Sequence, residues 1–156
     1  MSADNRTMVR TATDASALCL LIVARLEEAG ATLLALPNRG APLGMRVGWP
    51  EVVHDFHEAY GWTEATLRPP RPLAAQISRM DEALAWITLI PSDRYVLRRI
   101  VGCRALVAPI TGRHLFSWRR IGRLIGADDK SIPRWHAQGI ALIAEALRAR
   151  NFSPKV

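Results

Sequence analysis

Five apolar residues, Leu73, Ile77, Met80, Leu84 and Ile87, recur at spacings of 4, 3, 4 and 3 in the stretch between Pro72 and Pro91. That spacing puts one apolar stripe along a helix, whereas a strand would need alternation with a period of two. The stripe is either core or a short coiled-coil seam, and only about two heptads fit before Pro91, too few for an independent coiled coil. A second stripe, Val96, Ile100, Cys103 and Val107, follows in a segment that Ser92 or Asp93 can cap and that Pro109 and Gly112 end. No alternating strand pattern and no internal repeat occurs. The expected fold is all-α, a helical bundle of about six helices.

Upstream, residues 1–12 read as a flexible polar tail. Thr13 or Asp14 can cap a helix running to about Ala29, with Gly30 where a C-terminal glycine belongs. Ala31 to Leu36 could add a further turn or short helix before Pro37. A Pro- and Gly-punctuated loop reaches Gly48. Trp49-Pro50 then opens a helix carrying Val52, Val53, Phe56 and Tyr60 that stops at Gly61, and a second loop spans Leu67 to Pro72. The run Ala15 to Ala24 mimics the apolar part of a secretory signal. Asp14 sits directly before it, however, and no small-x-small site precedes Arg25-Leu26-Glu27-Glu28, so it reads as a buried helix. A cytoplasmic location is expected.

With 156 residues, 49% hydrophobic and 22% charged, the chain suits one compact domain with room for a small appended module. Cys19 and Cys103 are too few for a disulfide framework and lie on apolar stripes, as core residues would. No apolar run approaches the roughly 20 residues of a membrane span.

The net charge of +7 is unevenly distributed. Residues 1–93 hold 8 basic and 11 acidic side chains, a balance of −3; residues 94–156 hold 13 and 3, a balance of +10. Clustered basic residues are the electrostatic footprint of a nucleic-acid binder. All but Lys130 and Lys155 of the 21 basic residues are arginines, whose planar fork grips phosphate and guanine edges.

Within the basic part, residues 118–137 read WRRIGRLIGADDKSIPRWHA. A helix-turn-helix needs two short helices packed at a sharp turn. Gly122 is the small residue expected where the second helix crosses the first, and Gly126 is the turn residue tolerant of positive φ. Ile121, Ile125, Ala127, Ile132 and Trp135 fall at inward spacings. Ser117 can cap the first helix and Asp128 or Asp129 the second, with Pro133 acceptable in the second helix's first turn. Trp118 also fits an inward position. Gly139 inside the last helix points to close packing against another helix.

The segment Phe116 to Leu147 resembles the helix-turn-helix of bacterial regulators, especially the promoter-reading region of sigma factors. The chain as a whole is similar to an uncharacterised family found with alphaproteobacterial phages, prophages and mobile loci. The residues that carry this are Arg25 to Gly30, Trp49-Pro50 with His54 to Trp62, Arg79 to Leu84, and Ser117 to Gly139. The resemblance implies a phage-associated DNA-binding role. On this reading a second helix, about Lys130 to Arg148, enters the major groove by its N-terminal turns. Lys130, Pro133, Arg134, Ala137 and Gln138 fall on or near its exposed face. Arg134 could read guanine bidentately and Gln138 adenine, while Ser131 could donate to a phosphate or base. Arg113, Arg119, Arg120 and Arg123 would contact backbone phosphates.

The expected organisation is therefore a tail (1–12), a helical scaffold and oligomerisation region (13–110) and a helix-turn-helix region (111–156). The expected function is a sequence-specific, DNA-binding transcriptional regulator acting on duplex DNA. One reading helix covers only a few base pairs, so a homo-oligomer, with a dimer favoured, is expected; RNA polymerase or another phage protein could be a further partner. The alternatives are a small terminase subunit recognising viral DNA, or a helical interaction module or protein inhibitor whose basic face binds an acidic partner. No enzymatic activity, cofactor, metal or membrane partner is expected. His54 and His57, with Asp55 and Glu58, lack the spacing of a zinc-protease helix and read as surface residues. His114 and His136 flank the basic motif, where either could donate to phosphate. The tryptophans are dispersed, which fits core packing better than a stacking platform for single strands.

Overall fold

A computed structural model describes residues 2–37 and 69–152. Among the described residues the chain is all-α. The five described α-helices are α1 (Ser2–Ala35), α2 (Ala74–Trp86), α3 (Tyr95–Ala105), α4 (Trp118–Ile125) and α5 (Ile132–Ala149). The helix expected over Trp49 to Gly61, the loops from 38 to 68 and the His54/His57 pair lie outside the described residues. No described helix is long and apolar enough to cross a membrane.

The first helix is longer at both ends than its caps suggest. It begins at Ser2, not at Thr13 or Asp14. Residues 2–12 contain neither proline nor glycine, so nothing stops a nucleated helix from propagating through them. At the other end it runs straight through Gly30, absorbs the expected short second helix, and ends at Ala35 before Pro37. Gly30 is therefore a packing residue. A Cβ there would overlap the carbonyl oxygen of Ala105 and lie 2.6 Å from its carbonyl carbon. The end of α3 crosses α1 at this point, and only glycine lets the backbones approach so closely.

The stripe on α2 is core, packed on α1, with Met80, Leu84 and Ile87 buried. Its first member, Leu73, is exposed because it sits just outside the helix as the N-cap residue. The Leu73 N–H donates to Gln76 Oε1 at 2.7 Å, which satisfies one of the donors a helix start leaves open. Two ion pairs edge the α1–α2 seam, Arg79–Glu28 at 2.7 Å and Arg25–Glu82 at 3.2 Å. As partly exposed pairs they contribute little stability beside the apolar burial.

Short 3-10 turns, Ile87–Leu89 and Ser92–Arg94, bend the chain around Pro91 into α3. The Arg98 guanidinium clamps this corner, with Nε donating to the Ile90 carbonyl at 2.7 Å and Nη2 to the Thr88 carbonyl at 2.9 Å. Because the α-helix starts at Tyr95, its buried face is Leu97, Ile100, Val101 and Cys103. Val96, expected in the stripe, is exposed, and Val107 lies past the helix end. Burial pushes the Cys103 thiol up to about 11, as suits an inert core cysteine.

The last helix closes the bundle. Gly139 is where α5 meets α3: a Cβ there would lie 2.8 Å from Val101 Cγ2. The helix ends in a Schellman arrangement, with the Phe152 N–H on the Leu147 carbonyl, the Asn151 N–H on the Arg148 carbonyl and Asn151 at φ 50°. This turn lays Phe152 edge-on against Trp86, with ring centroids 5.6 Å apart. Ile22, Leu26, Leu84, Ile100, Ile121, Ile132 and Ile143 belong to one buried cluster, so α1 to α5 share a continuous core.

Candidate nucleic-acid interface

Two short-range signals set the helix–turn–helix corner. Ser117 caps α4, its Oγ accepting the Arg120 N–H at 3.2 Å. Gly126 adopts φ 76° and ψ 34°, and the N–H groups of Gly126 and Ala127 both donate to the Gly122 carbonyl at 2.9 Å. The left-handed conformation explains the glycine at 126. Gly122 serves a different neighbour from the one expected. A Cβ there would lie 2.9 Å from the Ala127 carbonyl oxygen and 3.3 Å from Asp129 Cα, so the turn backbone, rather than the crossing helix, excludes a side chain.

The second helix starts at Ile132, two residues later than expected, with Pro133 in its first turn. Neither aspartate caps it. Asp128 Oδ1 accepts the Lys130 N–H at 3.3 Å and the Asp128 carbonyl accepts the Ser131 N–H at 3.0 Å, so Asp128 shapes the turn itself. The cap position falls to Ser131, whose side chain makes no cap hydrogen bond. Inward packing follows the expected positions: Ile121 and Ile132 are fully buried, while Ile125, Ala127 and Trp135 pack half-buried on the core.

Of the residues singled out from the sequence, Arg113, Arg119, Arg120, Arg123, Lys130, Arg134 and Gln138 are exposed and Ser131 is half-buried. The structure brings Arg119 and Arg123 together, one turn apart on α4. They line an open groove of about 560 Å³ with the turn residues Gly126 to Asp129. Arg134, Ala137 and Gln138 share the exposed face of α5's first turns. Among the described residues, Arg113, Arg119, Arg123, Lys130 and Arg134 form no ion pair within 4 Å. Arg120 is more engaged: its guanidinium lies 4.7 Å from the Phe116 ring centroid and donates to the Leu115 carbonyl at 3.3 Å. Arg113 stands apart, near the tip of a loop between α3 and α4.

Behind this face lies an aromatic–cation stack that the sequence reading missed. The Arg104 guanidinium sits 3.9 Å from the Trp118 ring centroid, and Trp118 meets His136 edge-on at 5.3 Å. Arg104 Nη1 also donates to the Phe116 carbonyl at 3.1 Å. His114 is held between elements, with Nδ1 3.0 Å from the Arg104 carbonyl and Nε2 3.4 Å from Glu27 Oε1. Neither histidine is free in the way a phosphate donor would be. A Trp at 118 and a His at 136 carry no local signal of contact, because the fold alone brings them together.

Burial, reinforced by Arg104 and His114, holds the His136 imidazole down at about 4. The folded protein thus keeps His136 neutral while the unfolded chain protonates it near the ordinary value of about 6.5. The unfolded state binds more protons between those values, so stability is lost as pH falls from 6.5 toward 4. At pH 5 the loss from this half-buried group should be about 1–2 kcal/mol. Urea denaturation at pH 7 and pH 5 checks this: His136→Phe should lose less stability than the parent over that interval. Equal losses would show that His136 does not carry the effect.

Among the described residues no three His, Cys, Asp or Glu side chains gather as a metal site. The family model described as Domain of unknown function (DUF6362) matches residues 35–143, well over half of the chain. The chain belongs to the DUF6362 family. No curated protein and no solved structure matches it. In this DUF6362 member the matched stretch includes the whole of α4 and the turn, and α5 as far as Ile143.

Proposed function

We propose that this DUF6362 member is a sequence-specific, duplex-DNA-binding transcriptional regulator of the cytoplasm, belonging to a phage or mobile-element context. The observation that carries this reading is the corner itself. A capped helix, a left-handed glycine and a second helix present Arg119, Arg123, Lys130 and Arg134 outward, in the segment that holds the chain's positive charge. The first turns of α5 enter the major groove, Arg134 pairs with a guanine edge and Gln138 with adenine. Arg119, Arg123 and Lys130 hold phosphates, with Ser131 and Arg120 as lesser contacts. Two copies reading half-sites about 34 Å apart would give the specificity that one helix lacks.

Fluorescence anisotropy with mixed-sequence duplex DNA across a salt series tests the reading. Binding that weakens steeply as salt rises supports it, because released counterions set the slope. No binding at low salt overturns it, and the basic face would then be tested as a dock for an acidic protein.

A further inference from the structure

The connection from α3 to α4 is a small antiparallel hairpin. The Leu115 N–H donates to the Leu106 carbonyl at 3.0 Å and the Ala108 N–H to the Arg113 carbonyl at 2.8 Å, with Val107 and His114 paired between them. The turn closes when the Gly112 N–H donates to the Ala108 carbonyl at 2.9 Å, with Gly112 at φ 67°.

The base of this hairpin is fixed from several sides. Leu106 and Phe116 are buried in the core. His114 is tied to the Arg104 carbonyl and to Glu27, Arg104 Nη1 holds the Phe116 carbonyl, and Arg120 holds the Leu115 carbonyl. The tip, by contrast, is bare. Ile110 is 50% exposed, Thr111, Gly112 and Arg113 are exposed, and a Cβ on Gly112 would meet nothing within 4 Å. A rigid base carries an apolar and cationic tip, and its second strand runs directly into the Ser117 cap of α4, whose arginines are assigned above to phosphates.

We infer that the tip, Ile110 to Arg113, is a second DNA-contacting element that enters the minor groove next to the site read by α5, an inference that rests on the duplex-binding reading. The chemistry favours the minor groove over a further phosphate contact. A groove about 6 Å wide admits neither a helix nor a whole two-stranded ribbon, but it admits a side chain such as that of Arg113 projecting from an exposed turn. Arginine is drawn to the negative potential of narrow A·T-rich minor grooves. An exposed isoleucine adds nothing at a phosphate, but is the residue type that wedges between base steps.

The test uses the full chain and the duplex it selects from a library with a randomised centre. Hydroxyl-radical footprinting should show minor-groove protection beside the selected site, and A·T flanks should bind roughly tenfold tighter than G·C flanks. Ile110→Ser/Arg113→Ala should lose that protection and the flank preference while selecting the same central bases. Thermal unfolding checks that the variant folds. Were its midpoint lowered, Thr111→Asp, which sets a negative charge at the exposed tip, should give the same losses by repulsion. An unchanged footprint and flank preference in a folded variant would overturn the inference while leaving duplex binding intact. A parent chain that binds no duplex would overturn both.

Discussion

Gly30→Ala is expected to destabilise the protein by about 3 kcal/mol or more, although alanine is the better helix former by about 1 kcal/mol. Gly30 lies inside α1, five residues before its end, so propensity alone predicts a gain. The added Cβ would overlap the Ala105 carbonyl oxygen and would lie 3.1 Å from Leu106 Cα. Those are backbone atoms at the end of α3, and no rotamer change can move them aside. Relief requires α1 and α3 to separate, which opens the contacts of Ala29, Leu33 and Leu106, all nearly fully buried. Against a typical total of 5–15 kcal/mol, such a loss is large. Urea denaturation of the variant and parent decides between the terms: equal or higher stability would mean that the end of α3 yields easily.

The second large effect is expected in binding. Arg119→Ala/Arg123→Ala should flatten the logarithmic salt dependence by about two units and weaken duplex binding roughly a hundredfold at low salt, since each arginine would release about one counterion. Both side chains are exposed and neither belongs to the buried cluster, so folding should be unaffected. Arg134→Ala should behave differently. If it reads a guanine edge, its loss should cost about 1–3 kcal/mol, relax preference at one base pair and leave the salt slope nearly unchanged. Anisotropy titrations on a preferred and a scrambled duplex separate the two patterns. A salt slope unmoved by losing both α4 arginines would remove them from the phosphate contacts.

What could be read from the chain, and what could not, divides by the range of the interaction. The Met80–Leu84–Ile87 stripe, the Ser117 cap and the Gly126 turn are decided within one or two turns of chain, and each stands where the residues place it. Gly30 carries the same local signal as Gly126, yet it is a glycine because the distant backbone of Ala105 presses on it, and Gly122, expected at a helix crossing, is pressed instead by the backbone of the turn. That pressure is set by the packing of α3 on α1 and by the path of the turn, which no spacing reveals. Asp128 has the chemistry of a cap but is used one step earlier, in the turn. The hairpin was missed because Val107 to His114 offers too few residues for alternation to register. The Arg104–Trp118–His136 stack joins positions on three helices, so periodicity along any one of them is silent about it.

The continuous core has a mechanical consequence. Ile140, Ile143, Ala144 and Leu147, on the inner face of α5, pack in the same cluster as Ile22 and Leu26 of α1. The outer face of the same helix carries Arg134 and Gln138. A single rod thus serves as central beam and as outward blade, with no hinge between scaffold and face. In an assembly of two copies the blades would be set like the jaws of a locked caliper, at a span dictated by how the bodies meet. Half-site spacing would then be dictated by the body of the protein, with no flexible joint in α5 to absorb an extra base pair.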